Sequence, residues 1–243
     1  MNCGDKKKSG KKPFRVGLAL LVFAAMHLAG RANGETFVGK AVNSEDTVEY
    51  VERHTVTYKD GRPIKSDTIY FDDNNRIIGD LISEYSFGPQ FGSYHFKDIR
   101  ANYEDGAKVS ADQIRLFRKR GPEAATEEKL LTREEDQIVG QGFHQFIAYS
   151  IEDIAKGEVF HVRLVLPSRL DQFKFRIRKR EIKGDTIYIR LEIDNWFLRL
   201  FAPHIDVEYD LSTGRLLRYE GVSNLEDDSG KHRKVTITYT YES

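Results

Sequence analysis

The stretch from Gly142 to Pro167, GFHQFIAYSIEDIAKGEVFHVRLVLP, changes its apolar period half-way along, and that change sets the fold class. Phe143, Phe146, Ile147, Ile151 and Ile154 recur at spacings of three and four, which lines one face of a helix. Lys156-Gly157 supplies a C-terminal cap. Immediately afterwards Val159, His161, Arg163 and Val165 alternate with Phe160, Val162, Leu164 and Leu166, the two-residue period of a strand, until Pro167 stops it. One helix therefore feeds into sheet.

Downstream the two-residue period persists. Phe173, Phe175 and Ile177 oppose Lys174, Arg176 and Arg178; Ile187, Ile189, Leu191 and Ile193 oppose Tyr188, Arg190, Glu192 and Asp194. Val207 and Tyr209 lead into the turn Asp210-Leu211-Ser212-Thr213-Gly214, and Val235–Tyr241 closes the chain. Upstream, Val48, Tyr50, Val56 and Tyr58 alternate with polar residues, and Lys59-Asp60-Gly61-Arg62 and Asp72-Asp73-Asn74-Asn75 make turns. These runs read as antiparallel hairpins. Tyr85–Gly106, rich in aromatics and glycine, reads as a crossing loop leading to strands around Ala107–Lys119, and Glu123–Glu135 as a solvated loop or short helix. The expected fold is mainly β: a large curved antiparallel sheet of roughly nine or ten strands, a half-barrel or open barrel, with one main helix packed against it.

The first 34 residues have a separate logic. The basic run Lys6, Lys7, Lys8, Lys11 and Lys12 precedes an apolar core of about 14 residues, Val16–Ala29, followed by small residues at Ala32 and Gly34. This is the pattern of a secretory signal, too short for an ordinary bilayer span of roughly 20 residues. The alternative is an uncleaved anchor. Residues 1–34 are thus expected to be a signal peptide and 35–243 a single mainly-β domain. The address is export, to the periplasm of a Gram-negative bacterium.

Removing the leader changes the electrostatics. The whole chain carries 38 basic and 38 acidic residues; residues 1–34 hold seven of the former and one of the latter, leaving 31 and 37, a net charge of −6. An acidic exported domain is poorly suited to nucleic acid, whose non-specific binding depends on neutralising phosphates. The single cysteine, Cys3, goes with the leader, so the domain has no disulfide, thiolate nucleophile or sulfur-ligated metal. No HExxH, GxSxG or glycine-rich phosphate loop occurs, and neither a metal nor a cofactor is expected.

Several strings together carry a resemblance: Phe143–Gly157 with Glu158-Val159-Phe160, Leu166-Pro167-Ser168-Arg169-Leu170, Phe173-Lys174-Phe175-Arg176-Ile177, and Tyr209-Asp210 through Tyr219-Glu220-Gly221-Val222-Ser223-Asn224. Over Phe71–Tyr241, most weakly between Asp112 and Glu135, the chain resembles an uncharacterised family of exported bacterial proteins. More remotely, it resembles the periplasmic lipoprotein-carrier type of fold, a curved antiparallel sheet with helix on its concave side. The resemblance implies binding of an apolar ligand and supplies no catalytic residues.

Candidate sites follow. Phe143, Phe146, Ile147 and Ile151 on the helix, with Trp196 and Leu200 opposite, are either core or the wall of a cavity for a lipid, acyl chain or other apolar or amphipathic ligand. Asp194 is a candidate cap for a short helix carrying Trp196 and Leu200. Arg169, Lys174, Arg176 and Arg178 form a basic stripe that either meets an anionic headgroup, giving at most peripheral membrane contact after cleavage, or pairs with Glu192 on the next strand. His95 and Asp98 are the candidates for a hydrolytic base and its orienting carboxylate, against a purely structural role fixing the loop. A ligand-binding protein, an envelope interaction module and a hydrolase near His95 are the readings carried forward, in that order.

Overall fold

The computed structural model describes residues 34–195, 197, 204–227, 230 and 232–242. Residues 1–33 of the expected 1–34 signal lie outside the described residues, as do Trp196, Leu200 and most of the short helix expected beside them. The strands, in chain order, are β1 (Gly34–Val42), β2 (Val48–Lys59), β3 (Arg62–Phe71), β4 (Ile77–Glu84), β5 (Ser93–Asp98), β6 (Tyr103–Val109), β7 (Gln113–Arg120), β8 (Glu127–Thr132) and β9 (Gln137–Val139). After the helix α1 (Gly142–Lys156) come β10 (Phe160–Leu166), β11 (Asp171–Lys183), β12 (Thr186–Ile193), β13 (Ile205–Asp210), β14 (Leu216–Glu226) and β15 (His232–Tyr241). Among the described residues the sheet therefore has 15 strands rather than nine or ten.

Their order is β8-β7-β6-β5-β4-β3-β2-β1-β15-β14-β13-β12-β11-β10-β9, two meanders joined where β1 pairs with β15. Each hairpin is closed by the local chemistry. Asp60 and Gly61 both take positive φ (51° and 71°) in the two-residue turn between β2 and β3, where a right-twisting hairpin needs it. Every pair is antiparallel except β9 with β10, and α1 makes the long connection that a parallel pair requires.

The sheet curls until its two ends approach. Phe91 bridges Val139, Arg118 Nη1 donates to Ser168 O (2.9 Å), Lys129 pairs with Asp171 (3.0 Å), and Gln137 Nε2 donates to both Thr132 O (3.0 Å) and Gln172 Oε1 (2.8 Å). A small apolar cluster of Phe91, Ala107, Val109, Ile114, Leu116, Val139 and Val165 fills the seam. The main core lies on the inner face, where Ile177, Ile187, Ile189, Leu191, Val207 and Tyr209 meet Ile147, Ile151 and Ile154 of α1. Each of those helix isoleucines contributes roughly 2 kcal/mol by burial, which is what holds a single helix on the sheet. Gly157, at φ 106°, ends α1 as a left-handed cap, its N–H returning to Ile154 O (3.0 Å).

The convex face is a ladder of charges. Arg176 and Arg178 share Glu192, Arg190 pairs with Asp206 (2.6 Å), Arg218 with Glu208 and Glu220 (3.1 Å each), and Lys234 with Glu220 (2.6 Å). Burial works against the Glu192 carboxylate, but the two guanidiniums prevail and hold it below the usual range.

Candidate functional site

Along β2 the side chains facing the core are Tyr50, Glu52, His54, Val56 and Tyr58, so two polar residues interrupt an otherwise apolar row. They are not orphaned. Glu52 Oε2 accepts from His54 Nε2 (2.9 Å) and from the Tyr239 hydroxyl (3.2 Å); Thr68 donates to His54 Nδ1 (2.9 Å); Gln141 Nε2 donates to Thr68 Oγ1 (3.1 Å); and Ser83 donates to Gln141 Oε1 (3.4 Å). With His54 neutral, every donor in this chain finds an acceptor. Both ring nitrogens of His54 are engaged, so the residue is a strut between strands and helix, not a base available to a ligand. Its ring also stacks on Phe37, centroids 4.4 Å apart.

Beside this strut lies a cavity of about 80 Å³ between the polar edge of α1 and the inner faces of β1–β3 and β13–β15. From α1 it takes His144, Gln145 and Ala148, and from the cap before the helix Gln141; from the sheet, aromatic walls including Phe37, Tyr58, Tyr239 and Tyr241; and from the segment after β4, Tyr85. At the rim Arg215 Nε pairs with Glu35 Oε1 (2.9 Å), and the guanidinium lies 4.7 Å over the Tyr241 ring. The lining is otherwise uncharged. Burial pushes the His144 imidazole down to about 3, and it raises the phenols of Tyr85, Tyr209, Tyr239 and Tyr241 above their ordinary value.

The residues expected from sequence fall elsewhere. Phe143, Phe146, Ile147 and Ile151 pack into the core and do not line the cavity. The cavity lies one step round the helix, on a stripe at 141, 144, 145 and 148 whose spacing of three, one and three is readable but which is polar at every position except Ala148. Of the basic stripe, Arg176 and Arg178 are committed to Glu192, while Lys174 and Arg169 are exposed on different elements. The sheet thus takes the pairing alternative for the two arginines.

His95 and Asp98 do not meet as base and orienter. Three residues apart on one strand they face opposite sides: His95 Nε2 pairs with Glu104 (2.8 Å), whereas Asp98, 1 % exposed, accepts the N–H groups of Arg100 (3.1 Å), Ala101 (3.2 Å) and Glu226 (3.0 Å). Asp98 is a turn cap. Among the described residues no three His, Cys, Asp or Glu side chains group to hold a metal ion.

One further buried acid lies on β6. Asp105 accepts from the Tyr103 hydroxyl (2.7 Å) and is hydrogen-bonded by Tyr94, with Arg120 stacked on Tyr103 (4.8 Å). Burial, which outweighs these partners, lifts its pKa from 3.8 to about 6. A raised acid pKa favours the folded state while the group is protonated, so its contribution is complete below about pH 4 and lost as pH rises through about 6. Asp105→Asn is always neutral. Urea unfolding is expected to show the variant gaining on the parent by up to about 3 kcal/mol between pH 4 and 7; a constant difference across that range would contradict the assignment.

No family model matches the chain, and no curated protein matches it. Among solved structures it is similar to a β-barrel-like protein of a domain of unknown function, DUF1849, from Brucella abortus: 7% identity, 86% of this chain and 98% of that one covered, TM-score 0.37.

Proposed function

We propose that the chain is an exported binding protein of the cell envelope that holds a small amphipathic molecule in the cavity between α1 and the sheet. The observation that carries this reading is the cavity itself: apolar rings form its walls, a few polar groups converge on it, and it is open at a charged rim. Its size revises the expected ligand. At about 80 Å³ it is roughly half the engineered cavity known to take benzene, so it suits the end of a molecule, not a whole acyl chain. A longer chain would have to lie outside or displace α1. The export half of the proposal rests on residues 1–34 alone.

Native mass spectrometry of protein secreted with its own leader reads both halves at once. The expected spectrum shows a chain beginning at Glu35 with a bound small molecule, and Ala148→Leu, which fills the cavity from α1, loses that adduct while keeping its unfolding midpoint. A full-length membrane-retained chain would contradict export; adduct unchanged in Ala148→Leu would contradict the site.

A second reading, an envelope interaction module, is favoured by one feature. Among the described residues β8 ends the sheet, no strand pairing with its outer edge, and its residues are almost all exposed, Leu130 at 54%. Such an edge is a template for a partner's strand. Under this reading the secreted chain would copurify with a protein and carry no small molecule.

A further inference from the structure

The Tyr85 hydroxyl is buried with no hydrogen-bond partner among the described residues, in a side chain 7% exposed that lines the cavity. Phenylalanine would fill the same space without that cost, so the orphan group needs a reason. Its neighbour Ser83 lies close enough to temper the rise in the phenol's pKa, but it gives its own proton to Gln141 and meets the Tyr85 hydroxyl outside hydrogen-bond geometry; the ring is held flat against Gly92, where an added Cβ would come 3.0 Å from it. The hydroxyl is therefore fixed, and it is a donor without an acceptor.

His144 supplies a second donor. Its Nδ1 lies 2.8 Å from the Tyr209 hydroxyl, a buried phenol whose proton has this nitrogen as its acceptor. A phenol donating to Nδ1 fixes the other tautomer, with the proton on Nε2, and Nε2–H is then what His144 offers to the cavity it lines. The charges nearest the site are spent on each other, Arg215 on Glu35. Two neutral donors inside aromatic walls suit an oxygen with two lone pairs and no proton or net charge. A carboxylate would be desolvated with no unpaired cation to meet it. A hydrocarbon would leave both donors unsatisfied.

We propose that the cavity recognises an uncharged carbonyl group, that of an ester, amide or ketone on a small apolar body, by hydrogen bonds from the Tyr85 hydroxyl and His144 Nε2–H. This rests on the cavity reading above and names the ligand class for it. The test titrates the protein at neutral pH with methyl acetate, acetate and 2-methyl-1-butene, the hydrocarbon isostere of the ester, following the amide NMR signals of α1. Methyl acetate is expected to bind roughly tenfold more tightly than either control, and Tyr85→Phe to weaken the ester about five- to tenfold while leaving the hydrocarbon unchanged. Tyr85→Phe should also unfold at the same or a higher midpoint, since it removes an unsatisfied group. Equal binding of ester and hydrocarbon, or ester binding unchanged in Tyr85→Phe, overturns the carbonyl assignment and leaves the cavity standing. Binding of none of the three overturns the cavity reading with it.

Discussion

Glu52→Ala is expected to destabilise the fold by about 3–5 kcal/mol, the usual cost of removing one partner from a buried polar pair. Glu52 is 5% exposed, and its Oε2 is the acceptor on which the whole internal chain ends. Alanine leaves the Tyr239 hydroxyl and His54 Nε2–H without an acceptor inside the sheet, and His54 in turn orients Thr68 and, through it, Gln141 at the start of α1. Glu52→Gln keeps an acceptor oxygen in place and should cost only about 1 kcal/mol. Urea unfolding of the two variants separates the cases. A Glu52→Ala loss no larger than that of Glu52→Gln would mean that the chain does not hold the helix to the sheet.

Gly142→Ala is expected to cost about 3 kcal/mol, at the upper end for overpacking, and to abolish ligand binding in the same stroke. The first residue of α1 presses against the backbone of Gln90, and an added Cβ would collide with that carbonyl, 2.7 Å from its carbon and 2.9 Å from the Cα. Gln90 cannot retreat, because its carbonyl accepts the Val139 N–H (2.9 Å) where the two ends of the sheet meet. The helix must move instead, carrying His144, Gln145 and Ala148 away from the cavity. Gly157→Ala is the control: nothing lies within 4 Å of its Cβ, so only the left-handed backbone is strained, at about 1 kcal/mol. Thermal unfolding with the ester titration on both variants checks the contrast. Equal losses at the two glycines would show that the Gln90 contact yields.

What was legible in the sequence follows from where burial is one-sided. Ile187, Ile189 and Leu191 are buried, and of the residues beside them only Glu192, held by two arginines, is buried too, so β12 declared itself, and α1 did so through Ile147, Ile151 and Ile154. Strands without that contrast were hidden. β8 has no buried face, β9 is three residues long, and β6 carries Asp105 in its inward row beside Tyr103. The same cause concealed the site. The alternation of Val48, Tyr50, Val56 and Tyr58 has a gap, and while Val48 is exposed at the strand end, the gap holds the buried Glu52 and His54, whose partners include residues of other strands. On α1 the apolar stripe is core because apolar groups go where the packing is densest; the cavity collects the polar stripe beside it.

The most direct measurement is a crystal structure of the protein soaked in methyl acetate. The ester is expected between α1 and the sheet, with its carbonyl oxygen within hydrogen-bonding distance of both the Tyr85 hydroxyl and His144 Nε2. Density for the ester elsewhere on the molecule, or a cavity that stays closed around an unpartnered Tyr85, would contradict it.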